Sequence, residues 1–379
     1  MRVAIVAESF LPQVNGVVNS VLRVCEYLRD HDHEALIIVP DDDDVPVEYA
    51  GFEVVTVSTI SFPLYTEVKL GVSPSFVMER VIADWGPDVL HAASPFFIGA
   101  NGILAAARQS IPTVAVYQTD VPNYANRYGL PFLHTMAWRR VRDIHSLANL
   151  TLAPSTFTRD QLIEQGVPRV EVWGRGVDTE RFDPAKRDQA LHDAWAPNGE
   201  VVVGFMGRLA PEKQISDLEV LTDIEGIRLV IVGEGPIGRH LEREFPDAVF
   251  TGRLMGEELP KALATMDVFV SPGELETFCQ SVQEALAAGV PAIAPAQGGP
   301  IDLITDGETG FLYPPGDLEA MRGHVLALVE DAERRRSFSQ AARRFVADRT
   351  WPHLCDQLIG YYHQAMRPLA SGELHLDPR

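Results

Sequence analysis

The sequence predicts an α/β protein made of two doubly wound domains, and three observations carry that expectation. Short runs rich in Val and Ile alternate with helix-length segments, the same rhythm starts again after residue 200, and a polar stretch with two prolines separates the two series. At 379 residues the chain exceeds what a single ordinary core organises, so two domains are the natural division. A hydrophobic content of 46% gives each half enough apolar surface for a core of its own.

In the first series the strand-like runs are 3–7, 35–39, 54–57, 89–92, 113–117 and 150–153. They are apolar throughout rather than alternating, the signature of a parallel sheet covered on both faces by helices. The second series reads 201–206, 229–232, 248–250, 268–270 and 292–294. Between them, residues 178–200 are polar and contain Pro184, Pro197 and Gly199, the composition of a linker. The boundary is placed near residue 183, giving domains 1–183 and 184–355. The segment 351–366 is helical in pattern and carries Trp351, Tyr361 and Tyr362, so it should pack on something, while the tail after Pro368 reads as loose.

Charge and cysteine content narrow the function. Lys and Arg number 32 against 53 Asp and Glu, a net charge of -21 that argues against a broad nucleic-acid surface. Cys25, Cys279 and Cys355 are far apart and lack metal-ligand spacing, which fits free thiols in a reducing compartment. No signal peptide is expected from the opening residues, and the apolar stretch 95–107 is interrupted by Gly99, Asn101 and Gly102 and too short to span a bilayer. A cytoplasmic protein is expected, with any membrane contact peripheral.

Ligands of open α/β sheets sit beyond the carboxyl ends of the strands, so the chemistry is sought in the loops there. The most informative is 273–291, GELETFCQSVQEALAAGVP. Thr277 followed by Gln280 reads as a capping box, Gly289 as a stop and Pro291 as a terminator, which predicts a helix over about 278–288. Its unpaired N-terminal amides suit the phosphates of a nucleotide. Glu276 stands just before that helix and Glu284 two turns into it, so at about 1.5 Å rise per residue they are roughly 12 Å apart along the axis. That separation is too wide for the paired carboxylates of a glycosidase. It suits one carboxylate accepting from sugar hydroxyls and the other from ribose hydroxyls. Arg208 and Lys213, in the FMGRLAPEK stretch after the first strand of the second domain, add a planar fork and a point charge that could neutralise a departing diphosphate without a metal ion. In the first domain, Asn15 and Gly16 lie in the loop after the first strand, where a glycine admits close approach of phosphate to backbone. This loop is not G-x-G-x-x-G, so the dinucleotide fingerprint is absent.

With those residues in place, the chain resembles the family 4 retaining glycosyltransferases of the GT-B fold, in which two Rossmann-like domains face across a cleft. The matching pieces are NGVVNSV, RGVDTERF, GRLAPEK, VGEGP, the E-x7-E of Glu276 and Glu284, and DLITDGETGFLYPPGD. The opening MRVAIVAESFLPQVNGVVNSVLRV and the phrase VYQTDVPNYA most resemble actinobacterial GDP-mannose-dependent α-mannosyltransferases acting on glycolipids. The resemblance implies that Arg208 and Lys213 bind the donor diphosphate, Glu276 the transferred sugar and Glu284 the ribose. Gly16, with Asn15, would approach the distal phosphate. Gly207 and the helix-head residues Thr277, Phe278 and Cys279 join the donor site, and the base is implied near Gly233 and near Arg253 and Leu254. It also implies retention by front-face attack, with the departing phosphate oxygen taking the acceptor proton and no protein nucleophile.

Two positions depart from the family pattern. Gln118 stands where many members have a histidine, so Gln118 or Asp120 is expected to take over at the sugar, and Gln214 stands where many have a glycine after the diphosphate lysine.

Other features read more plainly. Asp41 to Asp44 is taken as a solvated run rather than a metal site, and His91 and His134 as structural or surface residues. The segment 127–145 concentrates Arg127, Arg139, Arg140 and Arg142 with Phe132, Met136 and Trp138 in an acidic protein, a pattern that fits either an ordinary packed helix with an exposed Arg face or docking on an anionic membrane.

The expectation is thus a retaining glycosyltransferase with its active site between the domains, the C-terminal helix 356–379 packing back on the first. It moves a sugar, mannose from GDP-mannose, to a lipid-linked or glycolipid acceptor in cell-envelope glycolipid or lipoglycan synthesis. It needs no metal or other cofactor, binds no nucleic acid, and sits in the cytoplasm or peripherally on the inner membrane face. The rival readings are a UDP-sugar-dependent family 4 transferase of glucosyl or sulfoquinovosyl type, a non-catalytic nucleotide-sugar-binding protein, and a nicotinamide-dependent oxidoreductase, which lacks its glycine fingerprint.

Overall fold

A computed structural model gives the architecture and describes residues 1–13, 15–61, 69–71, 75–120, 122 and 131–367. The chain divides into two compact units, one of Met1–Gly174 together with Leu354 onward, the other of Arg175–His353.

The strands of the first unit are β1 (Arg2–Ala7), β2 (Glu34–Pro40), β3 (Glu48–Tyr49), β4 (Phe52–Val57), β5 (Thr59–Ser61), β6 (Lys69–Gly71), β7 (Val89–Ala93), β8 (Thr113–Val116), β9 (Leu150–Ala153) and β10 (Val170–Val172). Eight of them form one sheet in the order β10-β9-β8-β7-β1-β2-β4-β3, parallel except for the β3 edge. Successive side chains of a strand point to opposite faces, and β1 shows it directly. Val3, Ile5 and Ala7 enter one core layer, and Ala4 and Val6 the other. The continuous apolar runs therefore arise because both faces are covered.

The second unit has β11 (Val201–Met206), β12 (Ile227–Val232), β13 (Val249–Gly252), β14 (Val268–Val270), β15 (Ala292–Pro295) and β16 (Gly310–Tyr313), ordered β13-β12-β11-β14-β15-β16 and parallel throughout. Each sheet winds outward to one side of its first strand and then resumes on the other side. The doubly wound α/β class read from the sequence is what the chain adopts. The crevices of the two sheets fall between β1 and β7 and between β11 and β14, the places where such folds bind ligands.

Among the features the pattern missed, besides the short strands β3, β5 and β6, three have a clear physical reason. The edge strand β10 is only three residues, Val-Glu-Val, too short to stand out. The outer strand β16 begins at Gly310, where a Cβ would lie 1.9 Å from the carbonyl oxygen of Ala292, so the strand needs the residue that hides it from an apolar scan. The stretch 178–200, read as linker, contains the helix Gln189–Trp195, capped by the Asp188 carboxylate on the Leu191 amide at 3.1 Å and pinned by a buried Trp195.

The helix Trp351–Ala365 buries Leu354, Cys355, Leu358 and Tyr362 in the core of the first unit. Polar contacts reinforce the docking. His91 Nδ1 and the Tyr362 hydroxyl are 2.8 Å apart, and Trp173 Nε1 donates to the Leu354 carbonyl at 2.8 Å. His91 is thus structural, and burial pulls its imidazole down to about 4, keeping it neutral at ordinary pH. Residues 368–379 lie outside the described part.

Candidate functional site

In the second unit the loops that leave β11, β12 and β13 are laced together by backbone. The Gly207 amide donates to Val232 O at 3.0 Å, the Leu209 amide to Glu234 O at 2.9 Å, the Ile237 amide to Leu209 O at 3.1 Å and the Gly233 amide to Gly252 O at 2.9 Å. Such a stack needs glycine where chains touch. Gly233 has φ 140, and a Cβ there would fall 1.9 Å from Gly207 O. The VGEGP and GRLAPEK pieces are therefore two layers of one platform, and Gly207 and Gly233 are brought together as backbone partners. Arg253, exposed on the neighbouring loop, pairs with Glu234 at 3.6 Å, and Leu254 packs on the core beside it.

Arg208 is exposed on that platform. Lys213 ends a 3-10 turn, Pro211–Lys213, and its ammonium forms an ion pair with Glu276 from the loop after β14. Both side chains are largely covered, 24% and 14% exposed. β11 and β14 are adjacent, so this pair sits at the carboxyl end of the sheet's switch point.

The Glu276–Cys279 loop is clamped from the far side by Gly298 and Gly299, which follow β15. The Gly299 amide donates to Glu276 O at 2.7 Å, and Cβ atoms at the two positions would approach Glu276 O to 2.2 Å and Phe278 O to 2.0 Å. Sequence reasoning passed over this GGP turn. Its signal was two glycines followed by a proline just beyond a strand-like run.

The helix itself corrects the expected capping box. It runs Gln280–Ala287, and its N-cap is Cys279 in the left-handed region, φ 70 and ψ 66, with no side-chain cap bond. Gln280 does not reach back, because its amide donates to Gly176 O at 3.2 Å, and Gln283 one turn on donates to Arg175 O at 2.9 Å. Residues 276–279 are not helical, so the axial rise assumed between Glu276 and Glu284 does not apply to the first part of that interval. Phe278 and Cys279 have buried side chains and can offer a ligand only backbone. Among the described residues, the amides of Phe278, Cys279, Gln280 and Ser281 find no backbone acceptor. Such amides at a helix head are a binding place for anions. Burial pushes the Cys279 thiol up to about 12, so it is no nucleophile.

Glu284 lies on this helix, partly exposed. Desolvation pushes its carboxyl up to about 7, against the opposing pull of a Gln280 hydrogen bond and the nearby Arg181 charge. It titrates near neutrality, so its capacity to accept from hydroxyls changes with pH.

In the first unit, Asn15 caps the helix Gly16–Asp30, its Oδ1 accepting from the amides of Val17 at 2.9 Å and Val18 at 3.0 Å, while its Nδ2 donates to Ser9 Oγ. Gly16 is the first residue of that helix. Glu8, at the end of β1, went unnoticed in the sequence. Its carboxylate accepts from the amides of Phe96 at 2.8 Å, Phe97 at 2.7 Å, Ile98 at 3.3 Å and Gly99 at 3.0 Å, filling the head of the helix Ile98–Arg108. Burial raises this carboxyl above its usual range even against those four bonds. Gln118 and Asp120 follow β8 and are both buried, and the Tyr117 hydroxyl donates to Asp120 Oδ1 at 3.0 Å.

The helix Pro131–Ser146 buries Trp138, Val141 and Ile144. Trp138 is therefore core and not a membrane-facing ring, with its Nε1 donating to His134 Nε2 at 3.2 Å. What faces outward is Met136 with Arg139, Arg140 and Arg142, of which Arg139 and Arg142 contact Asp143 at 3.8 and 3.5 Å. Arg127 lies outside the described residues. No helix among the described residues is long and apolar enough to cross a membrane, and no group of three or more His, Cys, Asp or Glu is placed to hold a metal ion.

Comparison with known proteins gives the family and the fold. The family model for Glycosyltransferase Family 4 matches residues 14–181, and that for Glycosyl transferases group 1 matches residues 188–345. A GDP-mannose-dependent alpha-mannosyltransferase of Mycobacterium tuberculosis is 51% identical over 96% of each chain. One of Corynebacterium glutamicum is 46% identical over 96% of this chain and 88% of its own. Among solved structures, Anabaena HepE in complex with UDP has a TM-score of 0.80 over 96% of this chain and 100% of its own at 18% identity, a likeness of fold.

Proposed function

The chain belongs to the family 4 glycosyltransferases, with their GT-B fold, and from that premise we propose that it transfers mannose from GDP-mannose, with retention, to a lipid-linked acceptor. The observation that carries this reading is the 51% and 46% identity, over 96% of this chain, to relatives named GDP-mannose-dependent alpha-mannosyltransferase.

In this reading the donor diphosphate lies against Arg208, Lys213 and the free amides of Phe278 and Cys279. The acceptor hydroxyl attacks the anomeric carbon from the face the diphosphate leaves. The bond from that carbon to the phosphate oxygen breaks, the acceptor proton passes to that oxygen, and GDP departs with the negative charge. Preformed cations and dipoles aimed at developing charge are an efficient source of rate enhancement, and a fork beside a point charge serves a diphosphate directly. Glu276, which holds Lys213 before the donor arrives, accepts from mannose hydroxyls once the ammonium turns to phosphate. Glu284 accepts from the ribose, and Gly233, Arg253 and Leu254 border the base. We assign the charge neutralisation to Arg208, Lys213 and those amides and no step to a metal.

We further place the enzyme in the cytoplasm, on the inner membrane face, with the exposed arginines of the Pro131–Ser146 helix as an electrostatic contact with anionic lipid. The support is this outward basic face in a protein of net charge -21.

A donor panel with a polar-lipid acceptor fraction tests the central assignment. Transfer from GDP-mannose, and little from UDP-glucose or UDP-sulfoquinovose, is expected. Preferential transfer from a UDP-sugar would replace it with the glucosyl or sulfoquinovosyl alternative, and donor binding without transfer would leave a binding protein.

A further inference from the structure

Gln214 follows Lys213 in a left-handed conformation, φ 49 and ψ 37, which glycine adopts without strain and other residues adopt at a cost. Its side chain shows what offsets that cost. Oε1 accepts from the Glu274 amide at 3.0 Å, and Nε2 donates to Asp217 Oδ2 at 3.2 Å. The same Glu274 peptide is gripped on its other side, where Gln297 Nε2 donates to the Glu274 carbonyl at 3.3 Å. Between the two loops there is no slack. A Cβ on Gly273 would lie 3.3 Å from the Cα of Lys213 and 3.4 Å from the carbonyl oxygens of Glu212 and Lys213.

We propose that Gln214 is a positioning residue for transfer, fastening the loop that carries Arg208 and Lys213 to the Glu274–Glu276 segment and so setting the Lys213–Glu276 geometry. The inference rests on the reading that Lys213 receives the donor diphosphate. The Glu274 amide, two residues before Glu276, donates to the side chain of the residue just after Lys213 and so ties together the two loops whose charged side chains pair. That bond adds a directional tie to the close backbone packing of the two loops, and a displacement of about 1 Å of a catalytic group is enough to cost a large factor in rate.

The test uses the full-length enzyme and Gln214→Gly, which keeps the backbone conformation and removes the amide, with Gln214→Asn as a second variant that tolerates the same φ but is one methylene short. The expected result is a melting temperature at or above that of the unsubstituted enzyme with kcat lowered roughly 10-fold for each variant. In a Lys213→Ala background the same Gln214 substitutions should have almost no further effect, because the group they position is gone. A kcat within 2-fold of the unsubstituted enzyme for both variants, or an undiminished loss in the Lys213→Ala background, overturns the proposal. Failure of the underlying reading shows separately, as normal turnover by Lys213→Ala itself.

Discussion

Lys213 and Glu276 form an ion pair at the crevice where the second sheet reverses its winding, the lysine supplied by the loop after β11 and the glutamate by the loop after β14. Each satisfies the other while both stay within reach of a ligand. A donor that offers phosphate to the lysine and hydroxyls to the glutamate exchanges one set of partners for another and leaves neither charge stranded, which matters because a partly buried unpaired charge is costly.

Arg208→Ala and Lys213→Ala are each expected to lower kcat on the order of 10²- to 10³-fold, the scale seen when one preorganised electrostatic contact is removed. Steady-state kinetics with saturating donor reads this. Near-normal rates in both variants would contradict the roles assigned to them.

The carboxyl of Glu284 sits at about 7 through desolvation, well above its unfolded value. A carboxyl raised on folding supports stability fully below the unfolded value near 4.5 and loses that support as pH rises through about 7. Glu284→Gln should therefore melt near the unsubstituted enzyme at pH 5 but be more stable at pH 8, by up to about 2–3 kcal/mol. Donor affinity should rise with pH through neutrality in the unsubstituted enzyme, as the ionised carboxylate accepts from hydroxyls, and that rise should vanish in the variant. A pH-independent stability difference would refute desolvation of this carboxyl as the cause.

Glu8→Ala removes the acceptor from four amides at the head of the Ile98–Arg108 helix. Chemical denaturation should show a loss of about 2–4 kcal/mol, since unsatisfied buried donors carry their full desolvation penalty. A loss under about 0.5 kcal/mol, the range of ordinary surface changes, would mean that water replaces the carboxylate there.

The outward arginines are tested by Arg139→Glu, Arg140→Glu and Arg142→Glu together. Flotation with vesicles containing anionic lipid should show binding by the unsubstituted enzyme and its loss in the triple variant, with no effect on binding to neutral vesicles. Unchanged flotation would remove this helix from any membrane role.

The parts of the fold legible in the sequence are those that local composition determines. Runs such as 3–7 and 201–206 are apolar because both faces are covered, and that burial is written residue by residue. Arg208, Lys213 and Glu276 were equally legible, as charges next to strand ends. What escaped is set by distant partners. Thr277 and Gln280 have the spacing of a capping box, yet Gln280 is claimed by a carbonyl 104 residues away. Glu8 looks like any acidic residue after a strand, because the amides it serves come 88 to 91 residues later. Gln214 read as a mere departure from glycine, since nothing nearby reveals that its side chain reaches Glu274.

The most direct test of the account is a crystal structure of the enzyme with GDP-mannose. The diphosphate should lie within about 2.7–3.1 Å of Arg208, Lys213 and the Phe278 and Cys279 amides, the distance at which such donors stabilise developing charge. A diphosphate bound elsewhere, with Lys213 still paired to Glu276, would contradict it.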